Sequence, residues 1–281
     1  MLQIRANDAN REETRKSIIL DKSSLEAMAG DILYKVDRDF HLILTIELYE
    51  EIQDSTRCNR GQIAKLMAAT RNLWIPPSFV LLAWELEHNF SSKFLINRER
   101  KVDLYVQTPQ LVMDFLRQDV ARLAYEKSNP RSARFLECVK GLGSLEELLP
   151  VLSFRMQGID LGLPANDIMQ MGTTRGLPIH PSFQLREDMF CSGLAIAHEG
   201  SYLLKLWRYG DAPADPKKPD NYGRDVELLA YMNICDGIIS NDKWMLAVAW
   251  ACWPTKRSSI LTYDNPSRSL QVYDPFRTKR S

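Results

Sequence analysis

No apolar run in the 281-residue chain approaches the roughly 18–20 residues that a bilayer-crossing helix needs. The opening stretch, MLQIRANDANREETRKS, is polar and charged and carries no signal-peptide pattern, so a cytoplasmic protein with no membrane partner is expected. Close cysteine pairs are missing too. The five cysteines, Cys58, Cys138, Cys191, Cys235 and Cys252, are scattered, odd in number and set mainly in apolar segments, and so read as buried thiols. The four histidines, His41, His88, His180 and His198, are equally dispersed, which leaves structural zinc without a ligand spacing. No glycine-rich loop follows the first predicted strand, where Asp21-Lys22-Ser23-Ser24 stands instead, and this sets aside a Rossmann-like nucleotide-binding enzyme. Net charge is absent as well, since 36 basic and 36 acidic residues cancel. The chain therefore lacks the overall basic character of many nucleic-acid binders, although a neutral total still permits a basic groove beside an acidic pocket.

What is present is a hydrophobic content of 45%, enough for a sizeable core in one large domain or two small ones. Ile18-Ile19-Leu20 reads as a short strand covered on both faces and ending at Asp21. A helix is predicted from Lys22 to about Asp37–Asp39, with Leu25, Met28, Ile32, Leu33 and Val36 as its apolar stripe. A strand over His41–Thr45 follows, and then a helix with Thr45 as N-cap, Ile46, Leu48, Tyr49 and Ile52 as apolar positions, and Glu47, Glu50 and Glu51 beside them. Trp74-Ile75-Pro76-Pro77 is extended, and Ser78 opens a helix to Leu86, because proline blocks a helix before it but tolerates one after it.

From about residue 91 to 209 the pattern becomes helical, with segments at Thr108–Lys127, Arg131–Val139, Leu145–Phe154 and Ser182–Trp207. Residues 210–220 are rich in proline and charge and read as a loop. Beyond them come a helix at Arg224–Met232, a buried strand at Gly237-Ile238-Ile239, a helix at Lys243–Trp253 and a strand at Ser258–Tyr263. Alternation of strand and helix at both ends predicts an α/β fold. Residues 1–90 and 210–281 build a parallel or mostly parallel sheet, and 91–209 form a large helical insertion.

In an open parallel sheet, functional side chains gather past the carboxyl ends of the strands, where Asp21 and Asp242 both fall. The ordered set Ile18-Ile19-Leu20-Asp21, a helix bearing Glu51-Ile52, Gly223-Arg224-Asp225-Val226 and Ser240-Asn241-Asp242-Lys243 resembles the PIN-domain nucleases, over roughly the first ninety and last seventy residues. The resemblance implies a PIN-like parallel-sheet sandwich. It also implies a metal-dependent phosphodiesterase, with Asp21, Glu51, Asp225 and Asp242 as the catalytic and metal-holding carboxylates. Hard cations such as Mg²⁺ or Mn²⁺ suit such oxygen ligands. The implied substrate is nucleic acid, RNA ahead of single-stranded DNA, with Ser240 on Asp21 or a phosphate and Lys243 against the scissile phosphate.

Each residue also has a plainer reading. Asp21 and Asp242 can serve as helix N-caps, and Asp225 can favour the positive end of its own helix. Glu47 and Glu50 rival Glu51, and a helix carrying Glu85 and Glu87 is a second register for the acidic helix. Asp236 precedes its strand and is expected at the opposite sheet edge, while Asp264 is a spare carboxylate. Trp244, Trp250 and Trp253 read as core or interface residues, and the Arg277-Thr278-Lys279-Arg280 tail as a solvated one. A second function, a non-catalytic PIN-like interaction or regulatory module, is left open by the neutral charge. So is a homo-oligomer or protein partner reached through the helical insertion.

Overall fold

The computed structural model describes residues 15–28, 30–45, 48, 73–74, 76, 78–95, 130–159, 162–210 and 219–277. Four short apolar segments form a parallel array: β1 (Ser17–Leu20), β2 (His41–Leu44), β4 (Gly237–Ile239) and β5 (Ile260–Asp264). The short strand β3 (Leu73–Trp74) joins it beside β2, also parallel, and β6 (Ser269–Val272) closes the far edge antiparallel to β5. The order is β3-β2-β1-β4-β5-β6, so the chain moves outward from β1 in one direction and later returns on its other side. The protein is thus α/β with a mostly parallel sheet.

Period-two alternation divides the strand side chains between two apolar layers. Ile18, Leu20, Leu42, Ile239 and Leu261 face α1 (Lys22–Ala27) and α2 (Gly30–Asp39), whose Leu25, Ile32, Leu33 and Val36 are buried there together with Met28 from the break between them. Ile19, Ile43, Ile238 and Ile260 face the other layer. That layer contains α3 (Ser78–His88), α4 (Pro130–Val139), α5 (Leu145–Gln157), α7 (Phe190–Tyr209), α8 (Pro219–Ala230) and α9 (Lys243–Cys252). The helices of residues 130–209 share this core with α8, α9 and the sheet face. Burial on both faces explains why the strands read as unbroken apolar triplets rather than alternating ones.

Two glycines allow the closest approaches. A Cβ on Gly193 of α7 would meet the Ala230 carbonyl oxygen at 2.1 Å, and one on Gly237 would meet the Ser259 carbonyl oxygen at 2.1 Å. Both neighbours are backbone and cannot swing aside, so α7 packs on α8, and β4 beside the turn before β5, only because these positions lack side chains.

The structure departs from the sequence reading in several elements. The predicted first helix is two, because Met28 is extended (φ −81°, ψ 135°) and a new helix starts at Gly30, a residue that weakens helix continuity. Helix α6 (Gly162–Thr174) was not anticipated; Pro164 sits in its first turn, where proline is tolerated. The helix expected from Ser182 begins only at Phe190, and β6 is an addition. The predicted Thr108–Lys127 helix lies outside the described residues. Among the described residues, no helix is long and apolar enough to cross a membrane.

Candidate functional site at the carboxyl edge of the sheet

Leu20 pairs with Ile239 across the central β1–β4 ladder, so Asp21 and Ser240 leave the sheet side by side. This is the point where the strand order reverses, the place at which open α/β sheets leave a crevice. The Asp21 amide extends the ladder to the Ile239 carbonyl at 3.0 Å, and the Ser240 amide reaches Leu261 at 3.0 Å. Backbone pairing therefore fixes where each following side chain starts.

Asp21 occupies the N-cap position of α1, yet its carboxylate makes no cap bond to that helix. Its Oδ2 instead accepts hydrogen bonds from two hydroxyls, Ser23 Oγ and, at 2.7 Å, Ser240 Oγ. Each hydroxyl in turn accepts a backbone N–H from the β4–α9 loop: Asn241 N donates to Ser23 at 2.9 Å and Asp242 N to Ser240 at 3.0 Å. A serine has one proton to give, and both are spent on Asp21, so the 3.3 Å approach of the two hydroxyls carries no proton of its own. Asn241 ties the same loop to β5, its Oδ1 accepting from Thr262 Oγ1 at 3.0 Å and Tyr263 N at 2.9 Å.

Asp21 is 7% exposed. Burial pushes its carboxyl above the ordinary value and the charge of Asp242 adds to this, while the Ser23 and Ser240 hydroxyls and the Lys22 amide work the other way. Asp242 caps α9 in the ordinary manner, its Oδ1 accepting from Trp244 N at 2.7 Å and Met245 N at 3.1 Å. Its Oδ2 accepts no hydrogen bond among the described residues. Neither Asp21 nor Asp242 forms an ion pair among those residues. Lys243 is exposed, with Nζ lying 4.8 Å from the centre of the Trp244 ring.

The other expected carboxylates are placed differently. Asp225, on α8, lies in reach of Lys205 on α7, whose ammonium is lowered to about 8 by burial while the Asp225 charge raises it. Glu51, with its rivals Glu47 and Glu50, lies outside the described residues. Among the described residues, no three acidic, histidine or cysteine side chains converge as a metal-holding group, so Asp21, Asp225 and Asp242 do not form one. Asp236 sits at the opposite sheet edge, accepting from Ser17 N at 2.7 Å and Ser17 Oγ at 2.8 Å. Asp264 is engaged in the β5–β6 turn, with Ser267 N at 3.2 Å and Gln271 Nε2 at 3.0 Å.

Glu85, considered as an alternative acidic-helix residue, has a structural task. Fully buried in α3, it accepts from Ser92 N (2.9 Å), Ser92 Oγ (2.6 Å), Phe190 N (2.8 Å) and Cys191 N (2.8 Å), placing a carboxylate on the N-terminus of α7. The same carboxylate helps hold the Cys191 thiol well above its ordinary value, after burial as the larger cause. Ser23 is the contributor that the sequence reading passed over. Its only signal was a hydroxyl two residues after a strand-end aspartate.

Chemically, the site is a pair of carboxylates that feel each other's charge, one buried and wired to two hydroxyls, the other half-committed to a helix N-terminus. Two neighbouring carboxylates of this kind suit a hard cation. Comparison with protein-family models, with curated proteins and with solved structures found no match to this chain.

Proposed function

We propose that the protein is a divalent-cation-dependent phosphodiesterase of PIN-like type acting on nucleic acid, RNA ahead of single-stranded DNA. The observation that carries this reading is the meeting of Asp21 and Asp242 at the strand-order reversal, with no cationic side chain paired to either among the described residues. A buried carboxylate beside a second one is costly unless a cation or proton joins them. Mg²⁺ is commonly held by only one or two carboxylates together with substrate phosphate oxygens, so the donor set fits Mg²⁺ or Mn²⁺.

Asp21 and Asp242 would hold the ion, and Glu51 remains as a third carboxylate. When bound, the ion supplies Lewis acidity, activating water and neutralising charge on the phosphodiester. The chain's own part is positional. Ser23 and Ser240 hold Asp21 in one rotamer by donating to a single oxygen, Oδ2, and neither hydroxyl occupies Oδ1. The Trp244 and Met245 amides do the same for Asp242 through Oδ1, leaving its Oδ2. Lys243 follows directly and supplies positive charge for a phosphate.

A second reading, a non-catalytic PIN-like interaction module, is favoured by one specific observation: no third described carboxylate joins the pair, and the charge of Asp225 acts on Lys205 of α7. One experiment separates the two. End-labelled RNA and single-stranded DNA are incubated with the full chain in Mg²⁺, in Mn²⁺ and in chelator. The first reading expects cation-dependent cleavage that Asp21→Asn and Asp242→Asn abolish; asparagine is itself a good N-cap, so the second variant keeps α9 intact. Absence of cleavage by the wild type, or equal cleavage by both variants, would leave the interaction module standing.

A further inference from the structure

Immediately beside the carboxylate pair, cationic and aromatic side chains alternate. The Trp244 amide holds Asp242 at 2.7 Å, and its ring has Arg208, from the last turn of α7, 4.1 Å from its centre and Lys243 Nζ at 4.8 Å. Arg208 is shared with a second ring, Tyr209, at 4.8 Å. Arg208 and Lys243 are exposed, and Tyr209 is 53% exposed. Neither cation forms an ion pair with a carboxylate among the described residues.

From this stack we infer that Tyr209, Arg208, Trp244 and Lys243 form a platform that positions single-stranded nucleic acid across the carboxylate pair; the inference rests on the phosphodiesterase reading and names its substrate-holding surface. Arg208 and Lys243 both lie over the Trp244 ring and present two positive charges to backbone phosphates, next to two carboxylates that would otherwise repel them. Tyr209 offers an exposed ring to an unpaired base, and stacking of this kind tolerates any base because every base has a π-face. A duplex hides those faces, so the platform selects strands over paired helices. Trp244 is the link between the two functions: its amide holds the Asp242 carboxylate and its ring orders the cations. All of these residues act by positioning and none touches the reacting phosphorus.

The test uses the full chain with fluorescein-labelled 12-mers of oligo(rU) and oligo(dT) and a matching duplex, read by fluorescence anisotropy in chelator over a salt series. Single strands bind and the duplex binds more weakly. Tyr209→Ala weakens single-strand binding roughly 5- to 100-fold, and Arg208→Ala lowers the salt slope by about 0.7 for each phosphate it no longer neutralises. Arg208→Lys keeps the charge but loses the planar stack, and falls between. In cleavage with Mn²⁺, the same variants raise KM and leave kcat close to wild type. If the wild type fails to bind single strands, or if Tyr209→Ala and Arg208→Ala bind as the wild type does, the platform is wrong. Equal binding of duplex also overturns it. Binding that follows the platform variants, with no cleavage in any cation, upholds the platform and removes the phosphodiesterase reading instead.

Discussion

Replacing Asp21 by asparagine should make the protein more stable at neutral pH. The side chain is 7% exposed, and burial together with the Asp242 charge outweighs the two hydroxyls and the amide that favour its ionised form, since its pKa is raised above the ordinary 3.8. Asparagine keeps a carbonyl oxygen where Oδ2 accepts Ser23 and Ser240, and its amide nitrogen takes the place of Oδ1, which receives neither hydroxyl. What is lost is a buried charge. A gain of about 1 kcal/mol is expected, in the range usual for relieving a functional site of strain or charge, and it corresponds to roughly 2–4 °C in Tm for a chain of this size. The pH dependence follows from linkage. A carboxyl with a raised folded pKa stabilises the fold when protonated; that contribution is complete below 3.8 and is lost as pH rises through the folded value. The variant has no such titration. Its advantage is therefore widest near neutrality and closes as pH falls towards 3.8, and titrating groups that do not feel the Asp21 charge cancel in the difference. Urea unfolding of both proteins at a series of pH values, without divalent cation, reads this directly. A variant less stable than the wild type at pH 7, or a difference that does not narrow in acid, refutes the reasoning.

Ser240→Ala removes a donor to Asp21 and the acceptor for the Asp242 amide in a fully buried position. A loss of about 1–3 kcal/mol is expected by urea unfolding, together with a further rise in the Asp21 pKa followed by carboxyl-carbon NMR. Glu85→Gln places an amide nitrogen against a backbone donor, Cys191 N or the Phe190 and Ser92 amides, and should lower stability by about 2–3 kcal/mol, roughly 5–10 °C in a thermal scan. An unchanged Tm would show that the carboxylate is not holding the α7 N-terminus.

Strands β1, β2, β4 and β5 were legible because each is a short apolar run between polar residues, and burial on both faces leaves no alternation to misread; β6, Ser269–Val272, has no such run and is not buried. Asp21 and Asp242 were legible as strand-end carboxylates for the same reason. Their meeting depends on β1 lying beside β4, a pairing more than two hundred residues apart that the sequence implied only through a family-like order. Local breaks were harder. Met28 leaves the helix although the apolar stripe runs straight through it, since Leu25, Met28 and Ile32 stay buried either way. Glu85 carried a readable hint, standing four residues after buried Leu81 on the apolar side of α3. Its partner, the start of α7, lies about a hundred residues away and leaves no local trace. Asp225 matched the expected order in sequence, but it joins no metal-holding group among the described residues, and its charge acts on Lys205 of α7.

Joint binding of a divalent cation by Asp21 and Asp242 is tested without any substrate by Mn²⁺ titration followed by water-proton relaxation. A saturable rise in relaxation is predicted for the wild type, at least tenfold weaker in Asp21→Asn and in Asp242→Asn. Saturable uptake that both variants retain unchanged, or none in the wild type, would contradict the account.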